Sequence, residues 1–187
     1  MRIISGKIKG KKLFEPKDSS TRPLKDIAKE SIFNILHHSK KLNLEIKNAE
    51  VLDLFSGVGS FGIECLSRGS SFVTFVENYE LALEILKKNI LLCKFQDKSK
   101  IIITDIFKYN FLNLNNNNYN IIFLDPPFKQ KINPLLEEIL KQNLLSDNGI
   151  FIIHRHSKEK EVLTEKLMII QEKNYGNSKI IFGKLLS

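Results

Sequence analysis

The sequence predicts an α/β fold: a mostly parallel sheet of seven strands, helices on both faces, and an antiparallel pair of strands at its C-terminal end. Three observations carry that prediction. From Ala49 onward, short apolar runs alternate with helical patterns, the order that builds right-handed strand–helix–strand units. The first apolar run is followed by glycines spaced G-x-G-x-x-G. The first four runs carry an acid at or near their ends: Asp53, Glu77, Asp105 and Asp125.

Residues 2–14 read as a β-hairpin. Ile3, Ile4, Ile8, Leu13 and Phe14 supply its apolar positions, and Gly6 and Gly10 its turns. Lys7, Lys9, Lys11 and Lys12 make it a basic ribbon. A polar loop, 15–20, leads to Thr21-Arg22-Pro23, and Pro23 sits near the first turn of a helix of about 15 residues. Ile27, Ile32, Phe33, Ile35 and Leu36 form the apolar side of that helix, and Lys25, Asp26, Lys29 and Glu30 its charged side. Residues 40–47 are a polar link. The chain thus divides into an N-terminal extension, 1–40, and a main domain, 41–187, expected to pack as a single compact unit.

Residues 51–55 are a short apolar run broken by Asp53, the pattern of a buried parallel strand. Gly57, Gly59 and Gly62 then permit a tight turn and leave bare backbone amides for a ligand. Phe61, Ile63, Cys65 and Leu66 give the next helix, and Gly69 stops it. Strand, glycine turn and helix are the fingerprint of a nucleotide-type cofactor site. Residues 72–77 are the second strand, and Glu77 lies twenty residues beyond Gly57. A carboxylate there can accept both hydroxyls of a ribose; alternatively it caps the following helix, 81–92. Residues 100–105 are a third strand ending in Asp105, and the Asn-rich stretch 113–120 reads as an expanded surface turn.

Residues 121–124 are a fourth buried strand, followed directly by Asp125-Pro126-Pro127-Phe128. Each proline fixes φ and lacks an N–H, so the backbone beyond Asp125 is held open. The Asp125 carboxylate and the Pro126 carbonyl then form a rigid pair of acceptors that fits a planar exocyclic amino group. Phe128 offers a face for a nucleobase to stack on, worth roughly 1–3 kcal/mol. The plainer alternative is a strand terminator with a buried phenylalanine. Hydrogen bonds from both N–H groups into fixed acceptors push electron density back onto the nitrogen and orient its lone pair, which is catalysis by positioning and preorganised electrostatics. That chemistry requires no metal and no covalent intermediate.

Asn133 and Pro134 open a helix over 133–143. Residues 149–154 are the fifth strand, 158–166 a short helix, and 168–172 with 179–185 the closing pair around a turn at 174–177. His154-Arg155-His156 reads as surface polarity, with a contact to nucleic-acid backbone as the alternative. Two histidines without a third ligand do not make a metal site.

A chain of 187 residues is enough for one domain with a sizeable core. No apolar run approaches the roughly 20 residues of a membrane span, and the start lacks the apolar core of a secretory signal. Cys65 and Cys93 fall on helices without metal spacing and read as reduced core thiols. A cytoplasmic location follows. The net charge of +8 is uneven. Residues 1–40 hold ten Lys or Arg against four Asp or Glu, whereas the remainder holds nineteen against seventeen. A positive excess gathered in one arm suits a polyanion, most simply nucleic acid.

The glycine loop from Asp53 to Gly59, Glu77, Asp105 and the Asp-Pro-Pro-Phe motif together resemble the class I S-adenosylmethionine-dependent amino-methyltransferases. Arg2-Ile-Ile-Ser-Gly-Lys, then Arg22-Pro23 with Asp26, Lys29, Glu30, Phe33 and Asn34, is similar to the small-subunit (16S) rRNA guanine-N2 methyltransferases of family D. The resemblance covers nearly the whole chain. It implies a Rossmann-like fold and methylation of a guanine N2 in 16S rRNA, free or in an assembling 30S particle, by a monomer with no metal. It also implies roles. Phe55, Gly57 and Gly59 would line the methionine side of S-adenosylmethionine with Asp53 below them. Glu77 would bind the ribose, and Asp105 the adenine amino group with Ile106 against the ring. Asp125 and Pro126 would hold the guanine amino group and Phe128 stack the base. Arg22 and the helix after it would close over the cofactor, and Arg2, Lys7, Lys9, Lys11 and Lys12 would grip RNA phosphates. His154-Arg155-His156 departs from the family pattern, where an acid often follows the fifth strand. Other readings are a DNA adenine or cytosine amino-methyltransferase, disfavoured because no separate target-recognition domain is visible, and an NAD-type nucleotide-binding protein.

Overall fold

The computed structural model describes residues 1–16, 24, 26–114 and 118–186. Among these, seven strands lie in one sheet: β1 (Glu50–Leu54), β2 (Phe72–Glu77), β3 (Ser99–Ile103), β4 (Tyr119–Leu124), β5 (Leu145–His156), β6 (Leu167–Tyr175) and β7 (Ser178–Leu185). Their order is β3-β2-β1-β4-β5-β7-β6. The first five strands pair in parallel, and β5 with β7 and β7 with β6 pair antiparallel. This is the predicted fold class. Both neighbours of β1 point the same way, but the chain reaches β2 on one side and returns to β4 on the other. That reversal opens a crevice at the carboxyl ends of β1 and β4.

Among the described residues four α-helices flank the sheet: α1 (Asp26–His38), α2 (Ser60–Ser67), α3 (Glu80–Cys93) and α4 (Asn133–Lys141). Successive strand residues point to opposite faces, so each strand feeds two cores. Val51, Phe75, Phe123 and Ile152 pack with α1, α2 and α3, whereas Leu52, Leu54, Ile122, Leu124 and Ile153 pack with α4. Phe61 of α2 stacks between Phe123 at 4.0 Å and Phe33 of α1 at 5.3 Å. Gly62 is required there, because a Cβ would come within 2.4 Å of the Phe75 ring.

The N-terminal hairpin forms as predicted, with Arg2 opposite Lys12 and Gly6 and Gly10 at φ +84° and +85°. Gly6 also lies too close to the Ser67 carbonyl for any side chain. The hairpin is fastened to α2 by the fully buried Glu64, whose two oxygens accept from Ile4 N at 2.8 Å and Ser5 N at 2.9 Å. Arg68 Nε donates to the same carboxylate at 2.8 Å, and Lys29 Nζ lies 3.6 Å from it while donating to the Arg2 carbonyl at 2.8 Å. Burial holds the Lys29 ammonium below its ordinary pKa, opposed by the Glu64 charge. Glu64→Ala would leave a buried lysine with only the exposed Asp26 carboxylate, 3.9 Å away, as counter-charge, and two backbone donors without an acceptor. It should cost about 3–5 kcal/mol in urea denaturation, the range for breaking a buried pair.

Four details differ from the sequence reading. Lys29, placed on the charged side of α1, is buried, and Ile27, placed on the apolar side, is 72% exposed. Lys29 faces inward, toward Glu64 and the Arg2 carbonyl. β5 begins at Leu145, ahead of Gly149, through an irregularity opposite Tyr119 and Ile121. Residues 119–120 belong to β4 rather than to the Asn-rich turn. The helix expected at 158–166 does not form. There Glu159 caps the amides of Lys160 and Glu161, and Glu161 reaches away to the start of α4, accepting from Ile132 N and Asn133 N. Cys65 and Cys93 are buried free thiols. Among the described residues no helix is long and apolar enough to cross a membrane.

Candidate active site

β1 ends in an abrupt reversal. Phe55 holds φ +58°, a left-handed conformation costly for a phenylalanine, and Gly57 and Gly59 follow at +54° and +83°. Ser56 ties the turn to β2 through Val76 O at 3.1 Å. Glu77 ties it again, with Oε2 accepting from Gly57 N at 2.7 Å. Its Oε1 accepts from Asn78 N and Tyr79 N, both at 2.8 Å, so three of a carboxylate's roughly four acceptor positions are filled. Glu77 thus holds the two amides just before α3 rather than those of its first turn, while its side chain stands in the cleft wall.

Asp53 lies beneath the turn, 1% exposed. Its Oδ2 accepts from Gly62 N at 3.0 Å, whereas Oδ1 has no partner within the described residues, and neither does the buried Ser60 Oγ. Burial holds the Asp53 carboxyl well above the usual carboxylate range. The Gly62 amide opposes that rise, and the charges of Asp125 and Glu77 add to it.

After β3, Asp105 caps a single helical turn, accepting from Phe107 N at 3.1 Å, and places the buried Ile106 toward the crevice. Phe107 and Phe55 form a tilted aromatic pair at 5.8 Å. After β4, Asp125 N donates to Leu54 O at 3.3 Å, which aligns the two strand ends. Pro127 O accepts from Gln130 N at 2.9 Å, so a turn follows the two prolines. Asp125 Oδ1 lies 2.7 Å from His154 Nδ1, and Phe128 meets the rings of His154 and His156 edge-on at 5.6 and 5.1 Å.

These groups share one cleft of about 550 Å³, lined by Asp53, Phe55, Gly57, Glu77, Asp105, Ile106, Asp125, Pro126 and Phe128 among others. Nine sequence-predicted residues on four strand ends therefore converge. Gly59 is not in the lining; a Cβ there would lie 2.4 Å from Leu86, so its place is set by packing against α3. Arg22 lies outside the described residues, although Leu24 just after it lines the cleft. The hairpin lysines are not brought to the cleft. Lys7 N donates to Ser67 O at the far end of α2, and eight residues of helix, roughly 12 Å at 1.5 Å each, separate it from Ser60.

The sequence reading missed Ser60 and misplaced the histidine triplet. His154 and Arg155 are buried, at 6% and 2% exposed, rather than surface polar groups. β5 runs three residues past its apolar run, beside the end of β4, where the carboxylate of Asp125 and the carbonyl of Phe128 need donors. A polar residue continuing a strand toward a ligand-binding edge was the available signal.

The sequence model of the family Conserved hypothetical protein 95 matches residues 1–184. The chain is 35% identical over 149 residues to Ribosomal RNA small subunit methyltransferase D of Escherichia coli (strain K12), covering 80% of this chain and 68% of that one. It is 30% identical over 187 residues to the protein of the same name from Buchnera aphidicola subsp. Baizongia pistaciae (strain Bp), covering 98% and 90%. The fold matches SMU.776, solved in complex with SAH, with a TM-score of 0.64 at 17% identity over 84% of this chain and 49% of that one. With a family model spanning all but its last three residues and these two relatives, the chain belongs to the Conserved hypothetical protein 95 family, that of the small-subunit rRNA methyltransferases D.

Proposed function

We propose that the protein methylates the exocyclic N2 amino group of a guanine in small-subunit ribosomal RNA, with S-adenosylmethionine as donor, acting as a cytoplasmic monomer. The observation that carries this reading is the placement of Asp125-Pro126-Pro127-Phe128 in the same cleft as the glycine turn, Asp53 and Glu77.

The residues present fit the cofactor. The orphaned Asp53 Oδ1 and Ser60 Oγ supply acceptors for an ammonium group at the base of the cleft. Gly57, with no atom near the place of its missing Cβ, leaves room against the backbone. Glu77 has acceptor capacity left for a ribose hydroxyl, and Asp105 with Ile106 and Phe107 offers an acceptor beside apolar walls for an adenine. When bound, the cofactor supplies an electrophilic methyl carbon.

The chain's own residues do the rest. Asp125 and the Pro126 carbonyl accept from the two amine N–H groups and aim the nitrogen lone pair into the cleft. Phe128, held in T-shaped contact with two imidazoles, stacks the base. The proton released from nitrogen once it carries the extra carbon is taken at Asp125 Oδ2. Incubating the protein with methyl-tritiated S-adenosylmethionine and small-subunit rRNA tests the reading: label should appear in N2-methylguanine, and label in DNA or none at all would refute it.

The hairpin lysines stand apart from the cleft, but Lys7, Lys9 and Lys12 are exposed and Lys11 half-buried, open to RNA backbone. Lys7→Glu with Lys9→Glu should weaken rRNA binding and lower the slope of log affinity against log salt by about 1 per lysine. An unchanged slope would remove the hairpin from the RNA surface.

A further inference from the structure

Neighbouring side chains of a strand leave on opposite faces, and β5 uses this at its end. His154 turns to Asp125, with Nδ1 to Oδ1 at 2.7 Å. Arg155 turns the other way, donating from Nη2 to the Phe128 carbonyl at 3.4 Å, and is held by Glu159 and Glu161. Two consecutive residues thus grip the two ends of the Asp125-to-Phe128 segment. On its far side His154 Nε2 lies 2.9 Å from Ser178 Oγ. Neutral imidazole has one N–H, and an ionised carboxylate only accepts. The N–H therefore belongs on Nδ1, with the Ser178 hydroxyl donating to Nε2. Serine hydrolases use the same three groups, but here His154 and Asp125 line the cleft and Ser178 does not.

We infer that His154 is a positioning residue for methyl transfer: its Nδ1–H fixes the rotation of the Asp125 carboxylate so that Oδ2 alone faces the target amine, and Ser178 holds the imidazole in that tautomer. The terminal torsion of an aspartate is broad. Without a fixed donor on one oxygen, Asp125 would spend much of its time turned away from the amine. The inference rests on Asp125 being the amine acceptor.

The test compares His154→Leu, His154→Asn and His154→Gln with wild type at saturating cofactor. His154→Leu should slow single-turnover methylation of rRNA by roughly 10- to 100-fold. Its cofactor Kd and its KM for RNA should stay within about twofold. His154→Asn, which returns an N–H near the Nδ1 position, should recover most of the rate, and His154→Gln, whose amide reaches toward Nε2, should not. Nitrogen NMR of the unliganded wild-type protein should show the Nδ1-protonated tautomer, and Ser178→Ala should mix the two. A leucine variant as fast as wild type, equal rates for Asn and Gln, or an Nε2-protonated tautomer would each overturn the inference. Should wild type fail to methylate RNA, the functional reading falls instead, while the tautomer still judges the geometry. Should His154→Leu not fold, the Asn and Gln pair decides.

Discussion

Asp125→Ala should reduce methyl transfer by about 10²- to 10³-fold or more while cofactor affinity stays nearly unchanged, the magnitude lost when a preorganised electrostatic group is removed. The substitution deletes one of the two proposed amine acceptors, the group proposed to take the released proton, and the partner of His154 Nδ1 at 2.7 Å. It touches nothing in the glycine turn. Its one link to the cofactor end is electrostatic: the Asp125 charge helps hold the Asp53 carboxyl protonated. Removing Asp125 should therefore leave Asp53 easier to ionise and cofactor binding equal or slightly tighter. Isothermal titration separates this from the alternative, since a clear loss of cofactor affinity would place Asp125 in the wrong half of the cleft.

The second large effect concerns Asp53 and runs in two directions. Asp53→Asn should raise the melting temperature of the unliganded protein and weaken S-adenosylmethionine binding by roughly 100-fold, the scale of removing one partner of a buried charged pair. Burial lifts the Asp53 carboxyl above its ordinary value, with Asp125 and Glu77 adding to the lift. The native state therefore keeps a proton that the unfolded chain gives up. Stability of the unliganded protein must fall as pH rises from the ordinary carboxylate value through the raised one. Asparagine keeps an oxygen for Gly62 N and has nothing to ionise, so its melting curve should lack that decline. Cofactor affinity of the wild type should move oppositely, rising as Asp53 ionises to meet an ammonium group. Parallel pH profiles for the two proteins that do not diverge would show that Asp53 is not the ionising group.

What the sequence made legible was local. The glycine turn, the acids on the strand ends and the two prolines after β4 impose their chemistry through adjacent residues, so a linear reading found them. Convergence followed from strand order alone. The unreadable parts depend on partners far along the chain. Lys29 looks like a solvated helix charge until Glu64 is known to lie against it. His154 and Arg155 look like surface polarity until Asp125 and Phe128, 29 and 27 residues earlier, are seen to need donors. The helix expected after β5 is undone by Glu161, whose carboxylate is taken up by Arg155 and the first amides of α4. Gly59 had the right spacing for a ligand contact, but only the position of Leu86 reveals that packing sets it.

The hairpin's fastenings bear on how the chain is born. Its anchors are Glu64, Ser67 and Asn89, the last exchanging bonds with both backbone groups of Phe14 while also donating to Val58 O in the glycine turn. The hairpin can therefore dock only after more than seventy further residues have followed it out of the ribosome. Until then its lysines and isoleucines travel unsheltered, and the moment of docking is also the moment at which the glycine turn is braced from behind.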